Sequence, residues 1–368
     1  MHPAGVAAQP SIREFPLLSP TSSPQNIVSG PDGNLWFTEY DGNRIGRITP
    51  NGTVTEFTIP TATSQPNGIT SGPDGNLWFT ERQRNRIGRI TPSGTITEFQ
   101  LPRSGNRPVG ITEGPDGNLW FTEFDGNRIG RISPVGQLAE FMLPNPVSGP
   151  ASVVTGPDHK VWFAEFDGGR IGVITTAGAI TEFPLSDAGS QPSGMTLGPD
   201  DAVWFTEQHT GRIGRITPDG TIKEYALFRS GSRPVGMTLG LDGNLWFVER
   251  NANRIAQIST TGVIAEFPIP TTNSLPVSIA TGPDGRFWFT EFGANQIGRA
   301  NPMPPPCPGD CDGSQTVTPD ELLTLINIVR NSRPLADCDV GDVNHDGRIT
   351  GDELMLALAA SLNNCREP

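Results

Sequence analysis

Residues 66–102 read PNGITSGPDGNLWFTERQRNRIGRITPSGTITEFQLP. Four short apolar runs, GIT, LWFTE, RIGRI and TITEF, are separated by the turn PDGN, a polar loop and the turn PSG. Gly and Asn in those turns supply the positive φ that tight hairpin connections require. No part of the unit carries a 3.6-residue apolar period over ten residues, so a helical repeat is disfavoured. Four antiparallel strands in a unit of this length are the signature of a β-propeller blade.

The unit recurs along the chain. Trp36, Trp78, Trp120, Trp162, Trp204, Trp246 and Trp288 follow one another at intervals of 42 residues, without insertion or deletion. The outermost strand of each unit carries Glu before an aromatic, as in Glu56-Phe57 and Glu266-Phe267, and this series starts ahead of the first Trp, at Glu14-Phe15. The last unit runs through Ile297-Gly298-Arg299 and stops in prolines without an outer strand. Residues 12–17 are that missing strand. Pairing the two closes the ring and removes two open edges. The fold expected for residues 11–300 is thus an all-β, seven-bladed propeller closed by an N-terminal strand, with 1–10 as a leading segment.

Composition agrees with many tight turns between short buried strands: 44 Gly and 36 Pro among 368 residues, with 35% hydrophobic residues. No apolar run approaches the roughly 20 residues of a transmembrane helix. The net charge of −13 argues against nucleic-acid binding, which needs a basic face. Residues 1–306 carry a net −6 and no Cys, whereas 307–368 carry −7 and all four Cys. An acidic module therefore follows the propeller, after the Pro-rich spacer 301–306, NPMPPP.

In a propeller blade the first strand lines the channel, and the loops before it and after the second strand emerge on one face, where ligands bind by analogy of fold. Glu39, Glu81, Glu123, Glu165, Glu207, Glu249 and Glu291 end the second strands there. Five residues on stand Arg44, Arg86, Arg128, Arg170, Arg212 and Arg254, with Gln296 in blade seven. A feature present in every blade reads first as scaffold, each Glu fastened by an Arg; the sharper reading is a ring of carboxylates converging on a metal. Glu291, lacking an Arg, is the one left for such a role. The Asp of each PDG turn is explained by turn chemistry. His209 falls in a loop of the ligand face and is the one candidate acid or base there, while His159 lies in a turn of the opposite face. Motifs of serine hydrolases, zinc proteases and phosphate-binding loops are absent.

The repeat, with PxGIT, GPDGNLWFTE, NRIGRIT and TEFxLP, resembles the virginiamycin B lyase (streptogramin lyase) family over residues 11–300. The resemblance implies a seven-bladed propeller and an Mg-dependent elimination that opens the lactone of a cyclic depsipeptide antibiotic. It also implies site residues. The family's general base is a His after the Pro that opens the first strand of the last blade, where this chain has Val277. A metal-ligand Glu precedes that Pro, where this chain has Leu275, and a second matches Glu291. A substrate-contacting His is replaced by Val235 and a Tyr by Gln25. A Val side chain accepts no proton, so the expectation is that the fold carries over and the activity does not.

In the acidic module, residues 342–353, DVNHDGRITGDE, place Asp342, Asn344, Asp346, the Arg348 carbonyl and Glu353 at positions one, three, five, seven and twelve of an EF-hand calcium loop, with Gly347 at six. Residues 310–321, DCDGSQTVTPDE, put Asp310, Asp312, Ser314, the Thr316 carbonyl and Glu321 in the same register, with Gln315 at six, where the sharp turn favours Gly. Each loop precedes an apolar helical segment, and the expected cofactor is calcium. The pair resembles a type I dockerin, which implies a cohesin-like protein partner. Where dockerins often present Ser-Thr, however, this chain has Pro319-Asp320 and Gly351-Asp352. Cys307, Cys311, Cys338 and Cys365 flank the loops and are expected to form two disulfides, in one of three connectivities. Disulfides and calcium loops both suit an extracellular or cell-surface location, although residues 1–10 show no signal-peptide pattern. The first function expected is therefore a secreted binding or scaffold protein, the alternative a carbon–oxygen lyase working with other residues.

Overall fold

The computed structural model describes residues 10–301, 317–330 and 348–362. It separates into a unit Ile12–Ala300 and a second unit formed by the segments outside it, Met1–Ser11 and Asn301–Pro368. The first unit consists of seven four-stranded antiparallel sheets. In blade two the strands are Pro66–Ser71, Leu77–Glu81, Arg86–Ile90 and Ile96–Gln100, each one of the four apolar runs of the repeat. The first strands of successive blades pack side by side, and that of blade seven (Pro276–Thr281) closes on that of blade one (Pro24–Ser29). The ring is a seven-bladed propeller.

Blade seven takes its outer strand from the N-terminus, as expected. Ile12–Pro16 pairs antiparallel with Gln296–Ala300, Ile12 opposite Ala300 and Pro16 opposite Gln296. Glu14 then accepts hydrogen bonds from the backbone N–H and the hydroxyl of Thr271, both at 2.9 Å, as Glu56 does from Ser19 and Glu98 from Thr61.

The repeated Trp explains the blade-to-blade packing. Alternation along LWFTE sends Leu, Phe and Glu to one face of the sheet and Trp and Thr to the other, yet all five are buried in every blade, because both faces are covered by neighbours. Each indole stacks on the aromatic of the outer strand, Trp78 on Phe99 at 5.3 Å between centroids, Trp204 on Tyr225 at 5.6 Å. Each indole N–H also donates to the Asp of its own PDG turn, at 2.9 Å for Trp36 to Asp32 and 3.1 Å for Trp288 to Asp284. That Asp in turn caps the turn by accepting from the N–H two residues on, as Asp32 does from Asn34. The Gly of this turn has φ near 73° at Gly33; His159 (φ 55°) and Asp201 (φ 52°) occupy the same left-handed position in blades four and five.

In the second unit two helices are described, α1 (Pro319–Val329) and α2 (Gly351–Leu362). Leu325 and Ile328 of α1 bury against Ile349 and Ala357. Thr318 caps α1, donating its hydroxyl to Glu321 while Glu321 accepts from the Thr318 N–H at 2.7 Å, and Thr350 and Glu353 repeat this pair at 2.8 Å. Asp310, Asp312, Ser314, Thr316, Asp342, Asn344, Asp346 and the four Cys expected to form disulfides lie outside the described residues.

Candidate functional site

Each first strand begins with a Pro paired to the Glu that ends the second strand, and its register then shifts, so that the residues after the Pro turn toward the axis. They line a cavity of about 460 Å³ at the mouth of the channel. The strands crowd closely there: a Cβ on Gly236 would fall 2.6 Å from the Ser278 Cα, so Gly at this position lets neighbouring first strands approach. Thr hydroxyls lock the blades at this level. Thr290 accepts from the Ser278 N–H and donates to the Gln25 carbonyl of blade one, at 3.0 Å each.

The Glu ring lies beneath this face. All seven carboxylates are fully buried, and none lines the channel. Nor do they converge: among the described residues no group of three or more His, Cys, Asp or Glu could hold a metal ion. Instead the Arg side chains pair with carboxylates of their own blade, and two of them bridge a pair. Arg44 reaches Glu39 at 2.9 Å and Glu56 at 3.2 Å, and Arg170 likewise reaches Glu165 and Glu182. Arg128 pairs with Glu123 at 3.5 Å, whereas Arg86, Arg212 and Arg254 pair with the outer-strand Glu98, Glu224 and Glu266, leaving Glu81 and Glu207 to hydroxyl donors and Glu249 without one. Ser64 supplies one to Glu81, and Thr210 one to Glu207.

One guanidinium for two carboxylates leaves these groups short of positive charge. Burial, then Glu140, raises Glu123 to about 7; burial, then Glu266, does the same at Glu249. In blade seven Gln296 replaces the Arg, neither oxygen of Glu291 receives a hydrogen bond, and burial with the Glu14 charge takes it to about 8. His209 is exposed on the rim and does not line the cavity.

The cavity is instead lined by the positions at which the seven repeats differ. After the Glu stand Arg82, Phe124, Phe166, Gln208 and Arg250, and before the first-strand Pro of blade six stands Arg233. Arg250 lies over the Phe292 ring at 5.3 Å, and Arg82 over Tyr40 at 5.9 Å while donating to its hydroxyl at 2.8 Å. Arg233 donates to Gln208 at 2.9 Å. Phe124 and Phe166 meet at 6.1 Å across blades three and four. Repetition drew attention to the Glu ring and away from these residues; comparing the seven copies for what varies would have found them.

Gln25, Val235 and Val277 also line the cavity, and Leu275 stands at its rim with φ 48°. The mouth is thus a concave pocket with apolar and basic lining, of a volume in the range of small-molecule sites.

The profile of the virginiamycin B lyase family matches residues 4–189 and 106–304. The chain belongs to that family. A streptogramin B lyase structure superposes with a TM-score of 0.77 at 38% identity, over 80% of this chain and 98% of that one. Virginiamycin B lyase from Staphylococcus aureus gives the same score and identity over 80% of this chain and its whole length, as does a catalytically inactive His-to-Ala variant of that enzyme with quinupristin. Virginiamycin B lyase of Bordetella parapertussis is 45% identical over 47 residues, a stretch covering 13% of this chain and 16% of that relative.

Proposed function

We propose that this chain is a secreted binding protein: the propeller mouth retains a small ligand without turning it over, and the C-terminal module, with calcium in loops 310–321 and 342–353, attaches it to a protein of cohesin-like type. The observation that carries the reading is Val277 and Val235 on the channel wall, with Leu275 at the rim. None offers an atom that takes a proton or binds a metal, and the one carboxylate kept, Glu291, is buried below the wall. The propeller's residues do not fit Mg. The twin Thr–Glu pairs at loop positions nine and twelve, and the buried apolar Val317 and Ile349 at position eight of each, support the calcium reading. In that reading Glu321 and Glu353 turn toward the ions, beside the ligands assigned from sequence, and the four Cys staple the module.

The family match over residues 4–304 favours a second reading, a carbon–oxygen lyase using other residues. A lactone-opening assay with a streptogramin B substrate and Mg separates the two. The expected result is no turnover. Turnover that Glu291→Gln abolishes overturns the binding reading.

A further inference from the structure

Three arginines, Arg82, Arg233 and Arg250, line the cavity, and no Asp or Glu lines it, in a chain whose net charge is −13. Among the described residues none of the three forms an ion pair, whereas Arg107, outside the cavity, is held by Asp125 at 3.1 Å. At this rim position Asp41, Asp125 and Asp167 stand on blades one, three and four, whereas blades five to seven carry His209, Asn251 and Gly293.

Arg233 and Arg250 belong to the same blade and oppose each other's charge. Burial and then Arg233 hold the Arg250 guanidinium below its usual pKa. Arg233 is oriented by Gln208 and Arg250 by the Phe292 face, so both forks are positioned without being neutralised. Two half-buried like charges near each other cost stability unless a counter-charge joins them. On blades three and four Phe124, with Arg107 over its ring at 5.5 Å, and Phe166 add aromatic lining to the same cavity.

We infer that the mouth is a receptor for a small organic anion with an aromatic or apolar body, its carboxylate or other oxyanion clamped by Arg233 and Arg250 and its body set against Phe124 and Phe166. This rests on the reading of the mouth as a ligand site and names the ligand's class. Guanidinium forks pair bidentately with oxyanions, and such charge-assisted hydrogen bonds are about twice as strong as neutral ones.

The test is calorimetric titration of the full chain with 1-naphthoate and with its uncharged analogue 1-naphthamide. Naphthoate is expected to bind at least about tenfold more tightly. The Arg233→Gln, Arg250→Gln double variant, whose side chains remain polar and half-buried, is expected to remove that preference and leave naphthamide within about twofold. Equal affinity for the two probes, or a naphthoate preference that survives the double variant, overturns the inference. Should both bind equally and Val235→Trp abolish both, the ligand site stands and only its anionic class falls. Should neither bind, the inference falls, and the turnover assay judges the function separately.

Discussion

Phe15 lies face to face with Trp288, ring centroids 5.5 Å apart and planes inclined 21°, so an aromatic from the start of the propeller completes the blade that ends it. The six other blades make the same stack with residues close in sequence. Here it clasps the ring. Phe15→Ala removes a buried ring and weakens the only long-range pairing within a blade, and is expected to cost about 3–5 kcal/mol in urea unfolding. Phe57→Ala, in blade one, should cost less, because its blade stays joined by short hairpins. Equal losses would mean that closure contributes nothing special.

The closure was legible in the sequence because Glu14-Phe15 precedes the first Trp and no outer-strand Glu-aromatic pair follows the last, Glu291-Phe292 ending that blade's second strand. The blade strands were legible for a similar reason: turns rich in Gly and Asn bound each apolar run. The depth of the Glu ring was not. Alternation along LWFTE puts Glu39 on the same face as Leu35 and Phe37, but in a blade covered on both sides that direction leads into the gap between blades and not to solvent. Arg82, Arg233 and Arg250 escaped because a search for repeats looks past the positions where the repeats disagree.

Asp116 accepts from the Trp120 indole at 2.9 Å and from the Asn118 side chain at 2.8 Å. Burial alone would raise its pKa, but these hydrogen bonds and that from the Asn118 N–H outweigh it, and the carboxyl sits below its ordinary value. A lowered folded-state pKa means stability that is present above the unfolded value, about 4, and lost as pH falls through the folded one. Asp116→Ala should therefore cost about 1–3 kcal/mol at pH 7 and progressively less toward pH 2. A loss independent of pH would point to turn geometry alone.

Glu249 has the opposite sign. Neither of its oxygens receives a hydrogen bond, and its folded-state pKa of about 7 exceeds the unfolded value of about 4.3. As pH rises through that window the unfolded chain ionises first, so the folded state loses stability, and above pH 7 the loss is complete. Glu249→Gln never ionises. It should match the parent chain near pH 4 and exceed it at pH 8 by at most about 4 kcal/mol. Urea unfolding at the two pH values checks this, and a variant that is less stable at pH 8 would show that the buried charge is compensated after all.

Glu321 and Glu353 each accept two hydrogen bonds from the Thr three residues earlier, an arrangement that a calcium ion at loop position twelve would have to rearrange. Because the helices pack on each other through Leu325, Ile328, Ile349 and Ala357, an ion bound in either loop stabilises one small core. Calorimetry of the full chain is expected to show a minor transition that rises with calcium and a major propeller transition that does not. Glu353→Gln should remove most of the rise, because in the proposed calcium reading it deletes the bidentate ligand of the loop with Gly at position six, and Glu321→Gln should remove less. A minor transition indifferent to millimolar calcium would sink the calcium assignment, and a propeller transition that moved with it would place the ion elsewhere.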